Sequence, residues 1–363
     1  MASTEINKKE IFEITTVLKG MAIILVVAFH VFFALKDRTY YATCYYLRPF
    51  RMPVFMFVSG YLYMMITRDK YQSLKPLAYE KYKRLLLPMF FLQVIGALEN
   101  VLINLIKFDS IDSLNFSLKD FLVNALFYPQ ASFNGYLWFV YVLFLIFIAA
   151  HIFRKYPVVL FLIGLGLYFV RMPLMFDLNN FRLYLQYFAL GMLVFHYLKS
   201  AYTKLPWWVY LLVVVAGIAV NSYYFRYTPW TQRDDSFLYL IRSYAGLLVM
   251  LSLAVLLCRF KVAPARWLAW MGKYSASVYF LHMPFYYILT VYILNDGIIL
   301  KGVELWGYSL LTIVVGIGGP ILLDKYLISK NQFLGMLLVG RKGSFVFKDW
   351  WSDLLHKIHI VSK

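Results

Sequence analysis

Apolar residues fill ten long stretches of this chain, approximately 17–35, 50–67, 85–106, 136–153, 157–174, 182–198, 207–225, 237–257, 274–294 and 305–327. A helix of about 20 apolar residues is what a bilayer crossing requires. The pattern therefore predicts an all-α fold with about ten transmembrane helices. In the connecting segment 107–135, Ser117 is followed by Asp120, and Leu118, Phe121, Leu122, Ala125 and Leu126 share one helical face. That combination predicts a short surface helix with Ser117 as its cap. Past the tenth stretch, Phe347, Trp350, Trp351, Leu354, Leu355 and Ile358 recur at helical spacing among basic residues, as in an amphipathic helix lying on a membrane. No long Pro/Gly linker and no internal repeat marks off a second unit. Residues 1–363 are read as one domain, with spans between 17 and 327 and a basic tail over 328–363.

Composition agrees with the pattern. At 62% hydrophobic residues, 15% charged and a mean hydropathy of +0.67, the chain falls outside the range of soluble domains. Residues 1–16 are polar and lack the apolar core and small-residue cleavage site of a removable signal peptide, so the first span is expected to persist. The net charge is +18, and its distribution orients the spans: one alternate set of connecting segments holds 23 bases, the other 12. Cytoplasmic loops are the basic ones, so both termini are expected in the cytoplasm. The same rule accounts for the charge through membrane lipid, without a nucleic-acid partner. Cys44 and Cys258 then fall on opposite sides, which excludes a disulfide framework.

Candidate chemistry begins in the first span. Lys19 and His30 lie eleven residues apart, about 16 Å and nearly three full turns, so they share one helix face. A packing histidine and a snorkelling lysine are the bland alternative. An ionisable group deep in a span is costly, however, and the aligned lysine marks that face as polar. Other polar residues interrupt apolar runs: Ser59 before Gly60, Asn134 and Trp138 at the opening of the fourth span, and Ser275, Ser277, Tyr279 and His282 in the ninth. Ser59 and Gly60 read best as a close helix approach. Ser275, Tyr279 and His282 share a face, and for His282 packing and function stay open. No HExxH, CxxC or phosphate-cradling glycine loop is present, so no metal site is expected.

In order along the chain, these features resemble the acyltransferase 3 family of bacterial membrane proteins. The resemblance rests on a basic residue, ten residues and a histidine in the first span (Lys19, His30), and on the run 52–60, Met-Pro-Val-Phe-Met-Phe-Val-Ser-Gly. It also rests on Lys81 and Arg84 ahead of Pro88, on Leu137-Trp138-Phe139, and on the run 274–282 ending in His282. It covers essentially residues 10–327. Lys19 and Lys81 stand where arginine is commoner, and Thr16 where aspartate is frequent; lysine offers a point charge rather than a fork.

The resemblance implies a membrane-embedded O-acyltransferase of the bacterial cytoplasmic membrane. It would move an acyl group, acetyl first among candidates, from cytoplasmic acyl-CoA to a sugar hydroxyl of a surface glycan or lipid-linked saccharide. Lys19, Lys81, Lys83 and Arg84 are then the acyl-CoA-binding candidates, with His30 as general base or transient acyl carrier. Oxyanion and acceptor candidates are Arg51, Ser59, Asn134, Trp138, Ser277, Tyr279 and His282. Homo-oligomerisation is left open. The competing expectation is a transporter or flippase of lipid-linked saccharide, for which Glu99 is the one intramembrane carboxylate candidate and no inverted repeat is evident.

Overall fold

A computed structural model describes residues 8–34, 38–108, 117–227, 236–287, 289 and 302–341. Every regular element among them is helical. The helices are α1 (Lys8–Ala34), α2 (Arg38–Leu47), α3 (Met52–Leu62), α4 (Leu74–Lys81), α5 (Leu87–Phe108), α6 (Leu118–Phe127), α7 (Trp138–Ile152) and α8 (Pro157–Tyr168). They continue with α9 (Leu178–Leu193), α10 (Trp207–Tyr227), α11 (Phe237–Arg259), α12 (Ala263–Lys273), α13 (Ser275–Tyr287), α14 (Gly302–Tyr326) and α15 (Gln332–Val339). Each of the ten apolar stretches has its helix. Among the described residues, six segments are long and apolar enough to cross a membrane: 8–33, 42–67, 135–152, 207–227, 237–259 and 302–330. The amphipathic tail expected over 347–358 lies outside the described residues, as does most of the connection 226–235.

α1 is the hub, packed against α2, α3, α11, α12, α13 and α14. It starts well before residue 17: Ile11, Ile14, Val17 and Leu18 have almost no exposed surface, and the helix packs on α12. Two helix pairs meet backbone to backbone. A Cβ on Gly20 would lie 2.1 Å from the Leu268 carbonyl oxygen, and one on Gly272 would lie 1.9 Å from that of Thr16, so α1 and α12 interlock. Gly60 and Gly191 stand in the same relation between α3 and α9, against the Phe188 and Phe57 carbonyls. Ser59–Gly60 thus marks a close approach, as its composition suggests.

α6 forms where expected, with the Ser117 hydroxyl accepting the Asp120 N–H at 3.3 Å. Its Leu118, Leu122 and Leu126 remain exposed, as do Leu211, Leu212 and Val215 on α10 and Leu310, Leu311 and Val314 on α14. Apolar surface on that scale suits lipid rather than water. α8 ends at Tyr168, short of residue 174, because Arg171-Met172-Pro173 follows and a proline disfavours helical backbone before it. Its 12 residues reach only about 18 Å.

Candidate active site

A cavity of about 180 Å³ opens beside His30. α1 contributes Val26, Phe29 and His30; the turn before α3 contributes Arg48 and Arg51, and α3 itself Met52. Gln130, Tyr136 and Trp138 come from the segment leading into α7, Asn180 and Tyr184 from α9, and Tyr279 from α13. Gln130 is exposed and marks the mouth. Of the residues singled out in the sequence, the fold gathers His30, Arg51, Trp138 and Tyr279 on one wall.

His282 lies directly behind His30, with ring centres 5.2 Å apart. It is completely buried, and its Nδ1 lies 3.0 Å and 2.9 Å from the Val278 and Tyr279 carbonyl oxygens. A carbonyl accepts only from an N–H, so Nδ1 carries the proton and Nε2 of the neutral ring keeps its lone pair. That Nε2 is buried with no hydrogen-bond partner among the described residues. Such an acceptor costs stability unless something uses it, and the His30 ring is its neighbour.

Two tyrosines frame the pair. The Tyr136 hydroxyl donates to the Phe280 carbonyl at 2.7 Å, and the Tyr279 hydroxyl donates to the Tyr136 carbonyl at 2.6 Å. The entrance to α7 is thereby pinned to α13. Tyr279, an oxyanion candidate from sequence, has committed its proton to the backbone. Arg51 caps α3 and stacks over Phe29, 3.5 Å from the ring centre.

Asp177 was legible in the sequence only as one acid in a connecting segment, yet it supports the cavity from behind. Phe176 and Asp177 take consecutive left-handed conformations, with φ of 57° and 53°. This turn buries the Asp177 carboxylate, whose Oδ1 accepts from Asn180 Nδ2 at 2.8 Å. Burial pushes the Asp177 carboxyl up to about 7, against the pull of the Asn180 bonds. Non-glycine residues at positive φ are strained and cluster at functional sites. Arg48, Gln130, Tyr136, Asn180 and Tyr184 were likewise not singled out; they reach the cavity by tertiary packing, for which local spacing carries no signal.

The remaining candidates lie elsewhere. Ser277 bonds the buried carboxylate of Asp324 on α14. Ser59 precedes Gly60 of the α3–α9 contact and is not among the residues of the cavity wall. Asn134 ties the segment before α7 to α5: its N–H donates to Gln93 Oε1 at 2.9 Å and its Nδ2 to the Leu92 carbonyl at 2.6 Å. Lys19, half-buried on α1, shares the α1–α12 contact region with Gly20.

Lys81 is buried with its ammonium 3.9 Å from the Phe147 ring centre. Lys83 and Arg84 belong to a π-helical turn, Tyr82–Leu86, that opens toward α5. Glu80 sits among these cations, 3.4 Å from Lys70 and 3.3 Å from Arg84. Burial opposes its charge, but Lys81, Lys70 and Arg84 together hold its carboxyl below the usual glutamate range. The cluster is therefore less positive than its bases alone suggest. No group of three or more His, Cys, Asp or Glu side chains among the described residues is arranged to hold a metal ion.

A family model described as an acyltransferase domain matches residues 15–325, from α1 into α14. No curated protein and no solved structure matches the chain.

Proposed function

The chain belongs to the acyltransferase domain family, and from that membership we propose that it transfers an acyl group from cytoplasmic acyl-CoA to a sugar hydroxyl presented from the other face of the membrane. Ten spans with both termini cytoplasmic complete this reading, supported by the bias of 23 bases against 12. The observation that carries it is the position of His30, on the cavity wall at one end of the helix face whose other end bears Lys19.

In the reaction, the acceptor hydroxyl gives its proton to a His30 ring nitrogen as its oxygen attacks the thioester carbonyl. The tetrahedral intermediate collapses with cleavage of the C–S bond, and the proton on His30 passes to the leaving sulfur. Ester and free CoA result. His282 Nε2, which has no partner among the described residues, stands beside the His30 ring; accepting the N–H on the far side of that ring would fix which His30 nitrogen faces the sugar. Arg51 is the donor group for the oxyanion; Tyr279 holds the wall in place. Lys19, Lys81, Lys83 and Arg84 receive the phosphates of CoA, with acetyl-CoA the first donor to try.

The test is transfer in sealed vesicles, with labelled acetyl-CoA on the side of Lys75 and a sugar acceptor on the other. Label appearing on the sugar supports the reading. Movement of lipid-linked saccharide without any acyl-CoA requirement replaces it with a transporter. Two further expectations arise from the same geometry. Cysteines introduced near Lys75 should label from the cytoplasmic side and near Ser113 from outside; the opposite pattern removes the proposed route for CoA. Lys81→Ala or Arg84→Ala should weaken acyl-CoA binding and make the residual binding less salt-sensitive. Unchanged affinity assigns these bases to topology and packing alone.

A further inference from the structure

We propose that the sugar accepted beside His30 carries an oxyanion, a carboxylate or a phosphate, within one ring of the hydroxyl that is acylated. This rests on the acyltransferase reading above and adds the chemical class of the acceptor. Among the described residues, the cavity wall contains two arginines, Arg48 and Arg51, and no aspartate or glutamate. Guanidinium groups donate hydrogen bonds and accept none. A neutral sugar brings donors of its own, one per hydroxyl, and meets only neutral acceptors among the described lining side chains: the amides of Gln130 and Asn180, the tyrosine hydroxyls and the His30 ring. An oxyanion brings only acceptors, and it suits the bidentate fork of an arginine.

The arginines are also placed apart from the bases assigned to the donor. Arg48 and Arg51 flank the short turn Arg48–Phe50 that leads into α3, next to His30, whereas Lys81, Lys83 and Arg84 sit on α4 and the following π-helical turn, and none of them lines the cavity. Both guanidinium carbons lie over aromatic rings: that of Arg51 over Phe29 at 3.5 Å and that of Arg48 over Tyr45 at 5.9 Å from the ring centres. Stacking uses the face of the group, while recognition of an oxyanion uses its edge. With Gln130 exposed at the mouth, the charged ring has a path from the surface to the wall that holds both arginines.

The experiment separates acceptor binding from turnover. Binding of methyl glucuronide, methyl glucoside 6-phosphate and methyl glucoside is measured by calorimetry on the His30→Gln protein in detergent. Transfer from labelled acetyl-CoA to the same three sugars is measured with the unmodified protein in vesicles. One or both anionic sugars should bind about ten- to a hundredfold more tightly than the glucoside, the worth of a charge-assisted hydrogen bond. Added salt should narrow that advantage. Arg48→Gln should erase the preference by weakening the anionic sugars far more than the glucoside, while Arg48→Lys should retain part of it. Which anion wins identifies carboxylate or phosphate.

Equal binding of all three sugars overturns the proposal, as does transfer with no preference among them. A preference that follows the acyl group instead, succinyl-CoA over acetyl-CoA with the neutral glucoside, assigns the arginines to the donor and also overturns it. Preferential binding of an anion with no transfer from any acyl-CoA leaves the charge selectivity standing and removes the acyltransferase reading.

Discussion

Replacing His30 by glutamine is expected to lower acyl transfer by about a hundred- to ten-thousandfold, the usual worth of a general base, while acyl-CoA binding at the basic end stays intact. Glutamine keeps much of the size and hydrogen bonding of the ring but takes up no proton near neutral pH. A histidine present only for packing would tolerate it with a small loss of stability. The comparison with His282 sharpens the test, because the two rings are neighbours at 5.2 Å but are proposed to have different roles. His282→Phe preserves volume and removes the Nε2 acceptor, so it should lower kcat by about ten- to a hundredfold, shift the pH profile of transfer and leave KM for the sugar nearly unchanged. Near-normal transfer by His30→Gln assigns the base elsewhere. An unshifted pH profile in His282→Phe reduces that residue to packing.

The second large effect concerns stability, at the opposite side of α13. Arg341 reaches both oxygens of the Asp324 carboxylate, at 2.5 and 2.6 Å, and Asp324 is fully buried on α14 with Ser277 of α13 bonded to it. Removing Arg341 leaves a carboxylate in the bundle without its counter-charge, a change that typically costs about 3 kcal/mol or more. Arg341→Ala should therefore lower the thermal midpoint of the detergent-solubilised protein substantially. The double variant Arg341→Met, Asp324→Asn should recover most of that loss, because it removes the stranded charge together with its partner. If the single variant melts like the parent, the ion pair contributes nothing and half-exposed Arg341 is screened by solvent.

The long helices are legible because each must be apolar for the length of a bilayer, and composition records that directly. His30, Trp138 and Tyr279 were legible as polar interruptions of such runs, and all three line the cavity. Ser277 shows the limit of that reasoning. It lies two residues, or roughly 200° of helix, from Tyr279, so a residue that looks equivalent in the polar stretch 274–282 faces Asp324 and not the cavity. The short helices were harder to read. In α12 the buried positions are Ala265, Leu268, Met271 and Gly272, while Trp267 and Trp270 are exposed; its basic composition suggested only a connecting loop. α2, α4 and α15 were hidden for the same reason, since segments of 8–10 residues give too little periodicity to stand out. Arg48 and Asn180 join the cavity through contacts between elements far apart in the chain.

The last described turn sets a practical boundary for anyone dissecting this protein. Gly340 ends α15 at a positive φ of 65°, and a Cβ there would lie 1.9 Å from the Arg84 carbonyl oxygen. α15 also packs against α5 and α13. Reporter fusions made by truncating ahead of Gln332 remove this seat along with Arg341, and so disturb the π-helical turn that carries Lys83 and Arg84. Their enzymatic read-outs will mix orientation with damage to the donor end, whereas point labels introduced into the intact chain will not.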